Sequence, residues 1–327
     1  MSGPLLDVRD LGVEFPTRHG MLRALDGVSF DIAAGEILGL VGESGAGKSL
    51  TGAAIIGLLE PPGRVCRGQV LLEGQRIDDL PREAMRRLRG RRIGAIFQDP
   101  LTSLDPLYTV GHQLVETLRA HLPLGAAQAR ERAVELLRQT GVPAPAARFG
   151  QYPHELSGGL RQRVVIALAL AAEPALVIAD EPTTALDVAV QAQILRLLRE
   201  VTQARGAAVM LITHDMGVVA ETCDRVAVMY AGRVVEIGPV DEVIRRPAHP
   251  YTAGLMASVP SLHDARGRLA QIKGALPRLG EIPSGCAFHP RCPKASPRCS
   301  DERPELALVQ RTRAACWWPI AESPVAP

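Results

Sequence analysis

The chain has 327 residues, 46% of them hydrophobic and 22% charged, and a formal net charge of +2. That content can bury one large core, which excludes a disordered chain, and its Arg and Lys are scattered, which gives no general nucleic-acid footprint. The first ten residues lack a signal-peptide core, and the longest apolar run, Val164 to Ala172, is too short to cross a bilayer, so a soluble cytosolic chain is expected.

Residues 5–15 and 22–33 mix apolar and polar positions in short runs, which predicts antiparallel strands joined through Pro16 to Gly20. Phe15 closes the first run, as either a sheet-core aromatic or a ring that stacks on adenine. The apolar run Ile37 to Val41 then leads into Gly42-Glu43-Ser44-Gly45-Ala46-Gly47-Lys48-Ser49, which fits G-x-x-x-x-G-K-[ST] and opens a helix expected to reach Leu59. Backbone N–H groups of such a loop can surround phosphate oxygens, while Lys48 reaches the β/γ-phosphates and the Ser49 hydroxyl reaches Mg²⁺. With only three lysines in the chain, a chance match to this pattern explains little.

Arg67 to Leu72 reads as a strand, and Pro81 to Arg92 as a short basic helix with a solvated face. Ile93 to Phe97 has the pattern of a buried strand and delivers Gln98 at the sheet end where open α/β folds place ligands. Residues 109–150 alternate apolar and charged positions at helical spacing, which predicts a helical insert. Ser157-Gly158-Gly159 follows as the start of another helix, with Ser157 suited to the N-cap and the glycines leaving amides uncovered. Ala175 to Glu181 is a buried strand ending in two carboxylates: Asp180 can hold Mg²⁺ through water, and Glu181 can polarise an attacking water. Thr184 to Asp187 begins a helix to about Arg205, and Val209 to Thr213 is a strand that delivers His214. Arg225 to Tyr230 and Arg233 to Ile237 read as a closing hairpin.

From about Pro239 the sequence turns proline-rich and loop-like. Four of the six cysteines, Cys286, Cys292, Cys299 and Cys316, fall here in a C-x5-C-x6-C-x16-C pattern. In a cytosolic chain this favours metal over disulfides, and four thiolates can hold either Zn²⁺ or a 4Fe–4S cluster. The only two tryptophans, Trp317 and Trp318, are expected to pack over this module.

In this order, Gly42–Ser49, Gln98, Leu156–Gly159, Asp180–Glu181, Ala185–Asp187 and His214 resemble the Walker A loop, Q-loop, signature motif, Walker B, D-loop and H-loop of ABC transporter ATP-binding subunits. Phe97-Gln98-Asp99-Pro100, Leu104-Asp105-Pro106, Tyr152-Pro153-His154-Glu155, His249-Pro250-Tyr251-Thr252 and the cysteine-bearing tail are similar to the oligopeptide/dipeptide importer branch, which includes nickel and other solute systems. Leu160 departs from the Gln or Met common at that position. The resemblance implies an α/β fold: an ABC-type P-loop ATPase with an antiparallel β subdomain, a mostly parallel RecA-like core and a helical signature subdomain at about 98–172, together filling residues 1–240. A small Cys-containing module would occupy 241–327.

The resemblance also implies a division of labour. Phe15, Gly42–Ser49, Ser157, Gly158, Gly159 and Asp187 would bind ATP in a head-to-tail pair of subunits, Glu181, His214 and Gln98 would act in hydrolysis, and Ser49, Gln98 and Asp180 would serve Mg²⁺. It favours a 4Fe–4S cluster on the four cysteines, with Zn²⁺ as the alternative. Expected partners are two membrane permeases, a second and related ATPase subunit, and an extracytoplasmic solute-binding protein, with no nucleic acid. The expected place is the cytoplasmic face of the membrane, held peripherally through the permeases. The rival readings are a nickel or other solute importer ATPase, and a soluble ABC-type ATPase acting on nucleic acid or ribosomes.

Overall fold

Twelve strands form among the described residues: β1 (Leu6–Thr17), β2 (Gly20–Ile32), β3 (Ile37–Val41), β4 (Arg64–Leu72), β5 (Gln75–Arg76), β6 (Ile93–Ile96), β7 (Leu176–Asp180), β8 (Ala208–Ile212), β9 (Arg225–Tyr230), β10 (Arg233–Pro239), β11 (Ala307–Val309) and β12 (Thr312–Ala314). The computed structural model describes residues 3–18, 20–183, 188–258 and 271–320. Two units divide the chain, one built from residues 3–6, 32–37 and 79–211, the other from 7–31, 38–78 and the residues from 212 onward.

In the first unit, β6 and β7 run parallel, with Ile93 opposite Leu176 and Ile96 opposite Ala179, and β8 is the next strand beyond β7. Their apolar side chains are buried, as expected of parallel strands covered on both faces. The insert between β6 and β7 is helical, as its periodicity predicts. Helices Val110–His121 and Ala126–Gln139 turn Leu114, Leu118, Ala133 and Leu137 inward, all fully buried. Thr109 caps the first of them by accepting the His112 N–H. Helix Gly158–Ala169 follows, burying Val164 and Ile166.

The second unit holds a four-stranded sheet in the order β2-β1-β4-β5, with β4 and β5 antiparallel. A second array begins with β3 parallel to β9. It continues through the antiparallel β9–β10 pair, which is the hairpin expected at 225–237. β12 then adds to β10, with Ala314 opposite Glu236, and β11 to β12. These last two strands were not visible in the sequence: three residues each, they form only because β10 offers an open edge. The proline-rich tail also contains helix Pro250–Ala257, started by His249, whose ring accepts the Tyr251 N–H, and by Pro250 in its first turn.

Candidate nucleotide-binding site

β3 delivers the phosphate loop. The loop's shape requires glycine: a Cβ at Gly42 would stand 2.3 Å from the Met229 carbonyl oxygen, and one at Gly47, where φ is 103°, would stand 2.7 Å from Leu25. Gly47 lies immediately before helix Lys48–Ile55, which is shorter than the expected run to Leu59. Lys48 is buried, and its Nζ donates to the carbonyls of Gly42 at 2.9 Å and Glu43 at 3.0 Å. Ser49 stands exposed in the first helical turn. Thr51 anchors the turn beneath by donating to the Gly47 carbonyl at 2.9 Å. In the same unit the Thr213 N–H reaches the Leu40 carbonyl, which brings His214 to the end of β3 from which the loop springs. Asp215 then caps helix Met216–Thr222 through the Gly217 and Val218 amides. Phe15, on β1, is half-buried, with its ring against Gly63.

In the first unit the β6–β7 register has a direct consequence. Ile96 faces Ala179, so the chain two residues further on each strand carries Gln98 and Glu181 together. Gln98 Nε2 donates to Glu181 Oε2 at 3.0 Å. Glu181 has φ 45°, the left-handed region that a non-glycine residue enters at a cost of about 1–3 kcal/mol. Asp180, the last residue of β7, is half-buried.

Ser157 takes the N-cap position of helix Gly158–Ala169 but makes no side-chain capping bond, contrary to the expectation from its residue type. The residue itself is exposed. A Cβ on Gly159 would come within 2.9 Å of Val190, so this glycine also lets helix Val188–Arg205 approach. The Tyr152–Glu155 segment braces the helix: Glu155 accepts the Tyr152 N–H, and Arg161 donates to the Pro153 carbonyl at 2.7 Å. Asp187 lies outside the described residues.

The four C-terminal cysteines line one small cavity with Phe288, Trp317 and Trp318. None of the chain's six cysteines is in a disulfide. Burial pushes the thiols of Cys286, Cys292 and Cys316 up, the last to about 11. Among the described residues, no group of three or more Cys, His, Asp or Glu side chains is gathered closely enough to form a ready site for a metal ion.

Two residues that the sequence reading did not place in the site touch the phosphate loop. Arg291 makes a two-pronged ion pair with Glu43, at 2.7 and 2.9 Å. The Tyr251 hydroxyl accepts the Glu43 N–H at 2.9 Å. Tyr251 was visible only as part of His249–Thr252, and Arg291 carried no signal of its own in the sequence.

Two known families match successive parts of the chain: ABC transporter over residues 25–184, and oligopeptide/dipeptide transporter, C-terminal region, over 235–299. The protein named "Probable peptide ABC transporter ATP-binding protein y4tR" of Sinorhizobium fredii is 50% identical over 96% of this chain and 94% of its own length. The dipeptide transport ATP-binding protein DppD of Escherichia coli K12 is 44% identical over 98% of each. Among solved structures, the dimeric ATP-binding cassette MJ0796 in a post-hydrolysis state with ADP and Pi matches with TM-score 0.65 and 28% identity, over 72% of this chain and 98% of that one. Identity of this order over nearly the full length of both chains decides the matter: the chain belongs to the ATP-hydrolysing, ATP-binding subunits of ABC transporters, in the oligopeptide/dipeptide branch.

Proposed function

We propose that this subunit hydrolyses ATP to drive peptide import through two membrane permeases, to which an extracytoplasmic solute-binding protein delivers the cargo. It works at the cytoplasmic face of the membrane, paired head to tail with a related second ATPase subunit. The peptide cargo is supported by the names of the relatives, which are peptide and dipeptide transport proteins. Among the described residues no helix is long and apolar enough to cross a membrane. Docking on the permeases is supported by an exposed apolar surface on the first unit, with Leu101 61% and Leu107 78% exposed. Asp99 and Asp105 shape it by accepting the Leu101 and Leu107 amides.

The observation that carries the reading is the Gln98–Glu181 hydrogen bond on a strained Glu181. A carboxylate fixed in this way can orient a water and take its proton as the γ-phosphoryl group transfers. Gly42–Ser49 would hold the triphosphate, with Phe15 against adenine and His214 on the γ-phosphate. Ser157–Gly159 would complete the mate's site with a helix N-terminus, and Asp187 would tie the pair. Mg²⁺ would be held by Ser49, Gln98 and Asp180, whose oxygens suit a hard cation; when bound it neutralises charge on the β/γ-phosphates. Glu181→Gln should leave ATP binding intact and slow hydrolysis by roughly 10²–10⁴-fold. Near-normal turnover would remove Glu181 from this role.

The donor set at the C-terminal cavity, four cysteine thiols, is of the chemical kind that binds an iron–sulfur cluster. Cys286, Cys292, Cys299 and Cys316 would therefore hold a 4Fe–4S cluster, which when bound cross-links the tail. Iron, sulfide and visible absorption in anaerobically purified protein test this, and bound zinc or bare thiols would refute it.

A further inference from the structure

We propose that Arg291 and Tyr251 are positioning residues for the phosphate loop: by fixing Glu43 they make the loop's affinity for ATP depend on the folded C-terminal segment. The inference rests on the reading of Gly42–Ser49 as the ATP-phosphate site. Every polar group of Glu43 is held. Its carboxylate takes both Nη atoms of Arg291, its N–H goes to the Tyr251 hydroxyl, and its carbonyl receives Lys48 Nζ at 3.0 Å and the Ala46 N–H at 3.1 Å. Glu43 is thus the joint through which the tail reaches the phosphate-binding lysine.

The Arg291–Glu43 contact differs from an ordinary surface ion pair, which contributes little. The Arg291 side chain is 7% exposed and that of Glu43 27%. Arg291 also donates from Nε to the Lys273 carbonyl at 3.0 Å and from Nη2 to the Gly274 carbonyl at 3.3 Å. Only a planar guanidinium can serve a carboxylate and these carbonyls together. Tyr251 is fully buried, its ring 4.7 Å from Tyr230 and 5.3 Å from Phe288, the latter lining the cysteine cavity. Both clamps therefore arise from the segment that carries the cysteines.

The sign of the effect follows from charge. Without Arg291, the Glu43 carboxylate stands uncompensated in the loop that must receive phosphates, and repels them. Removing that charge as well should restore part of the lost affinity, which a mere anchoring role for Arg291 would not do.

The test is equilibrium ATP binding to the full-length chain, with thermal unfolding to confirm folding. Arg291→Met should weaken ATP binding roughly 10- to 50-fold. Adding Glu43→Gln should recover a substantial part of that loss, and Tyr251→Phe alone should cost about threefold. Wild-type affinity in folded Arg291→Met overturns the proposal, as does a loss that Glu43→Gln leaves unrelieved. If Arg291→Met does not fold, Arg291→Lys and Tyr251→Phe decide: wild-type affinity in both overturns it, and weakened binding in both supports it. Lys48→Ala separates the two readings, because unchanged ATP affinity there would sink the phosphate-loop assignment itself.

Discussion

The phosphate loop and the C-terminal cysteine region belong to one unit, yet they are held in opposite ways. The loop is shaped by its own backbone: eight consecutive residues, three of them glycines with positive φ, turn so tightly that a single Cβ at Gly42 would strike a carbonyl. The cysteine region is shaped by side chains brought from far apart. Glu236 on β10 accepts the amides of Ala248 and His249 at 2.8 and 2.9 Å. Arg291 gathers the carbonyls of Lys273 and Gly274. Backbone demands fall on neighbouring residues and leave a motif, whereas a long-range network leaves only isolated letters.

The contrast is tested most severely by Gly42→Ala. The added Cβ would stand 2.3 Å from the Met229 oxygen, a backbone atom that cannot swing away. Strain and overpacking together should destabilise the chain by roughly 2–4 kcal/mol and abolish ATP binding. Denaturant unfolding and nucleotide titration measure both. A Gly42→Ala chain with unchanged stability and affinity would mean that the loop is not set by its backbone.

For the cysteine region the corresponding variant acts through a buried side chain. Burial depresses the His249 pKa from 6.5 to about 4, against an opposing hydrogen bond with the Ala315 backbone. Between those values the unfolded chain holds a proton that the folded chain refuses, so stability falls as pH drops from 6.5 towards 4 and is flat above 7. The full span is about 3 kcal/mol. His249→Asn keeps an acceptor for the Tyr251 amide and should lose this slope. Burial raises the Glu236 pKa, which has the opposite sign, as its stabilisation is lost with rising pH. Comparing the variant with the parent chain cancels that contribution. Equal slopes would place the pH sensitivity elsewhere.

What could be read in advance follows the same division. The strands ending at Gln98 and Glu181 were legible because buried parallel strands leave short apolar runs, and their register then forces the two polar residues together. The positive φ of Glu181 was not legible, since nothing in its residue type announces it. Ser157 has the residue type of an N-cap and the position of one, but lacks the capping bond. β11 and β12 were missed because three-residue strands take their conformation from their neighbours, β12 from β10 and β11 from β12. Arg291 was missed because an ion pair spanning 248 positions has no local signature.

The smallest effect belongs to the surface of the cysteine region. The Arg298 guanidinium lies 3.6 Å from the centre of the Trp317 ring, which lines the cysteine cavity. Arg298 also pairs with Glu302 at 2.9 Å, but both are at least half-exposed, so that ion pair adds little. Arg298→Ala should therefore cost about 0.5–1 kcal/mol, nearly all of it the cation–π contact. Because Trp317 and Trp318 are the only tryptophans, their fluorescence during denaturation reports on this region alone. A loss well above 2 kcal/mol would show that the outer ring contact, rather than the buried Glu236, His249 and Arg291 contacts, holds the region together. The two parts of the unit would then no longer differ as backbone-set and interior-set, because the second would be fixed from its surface.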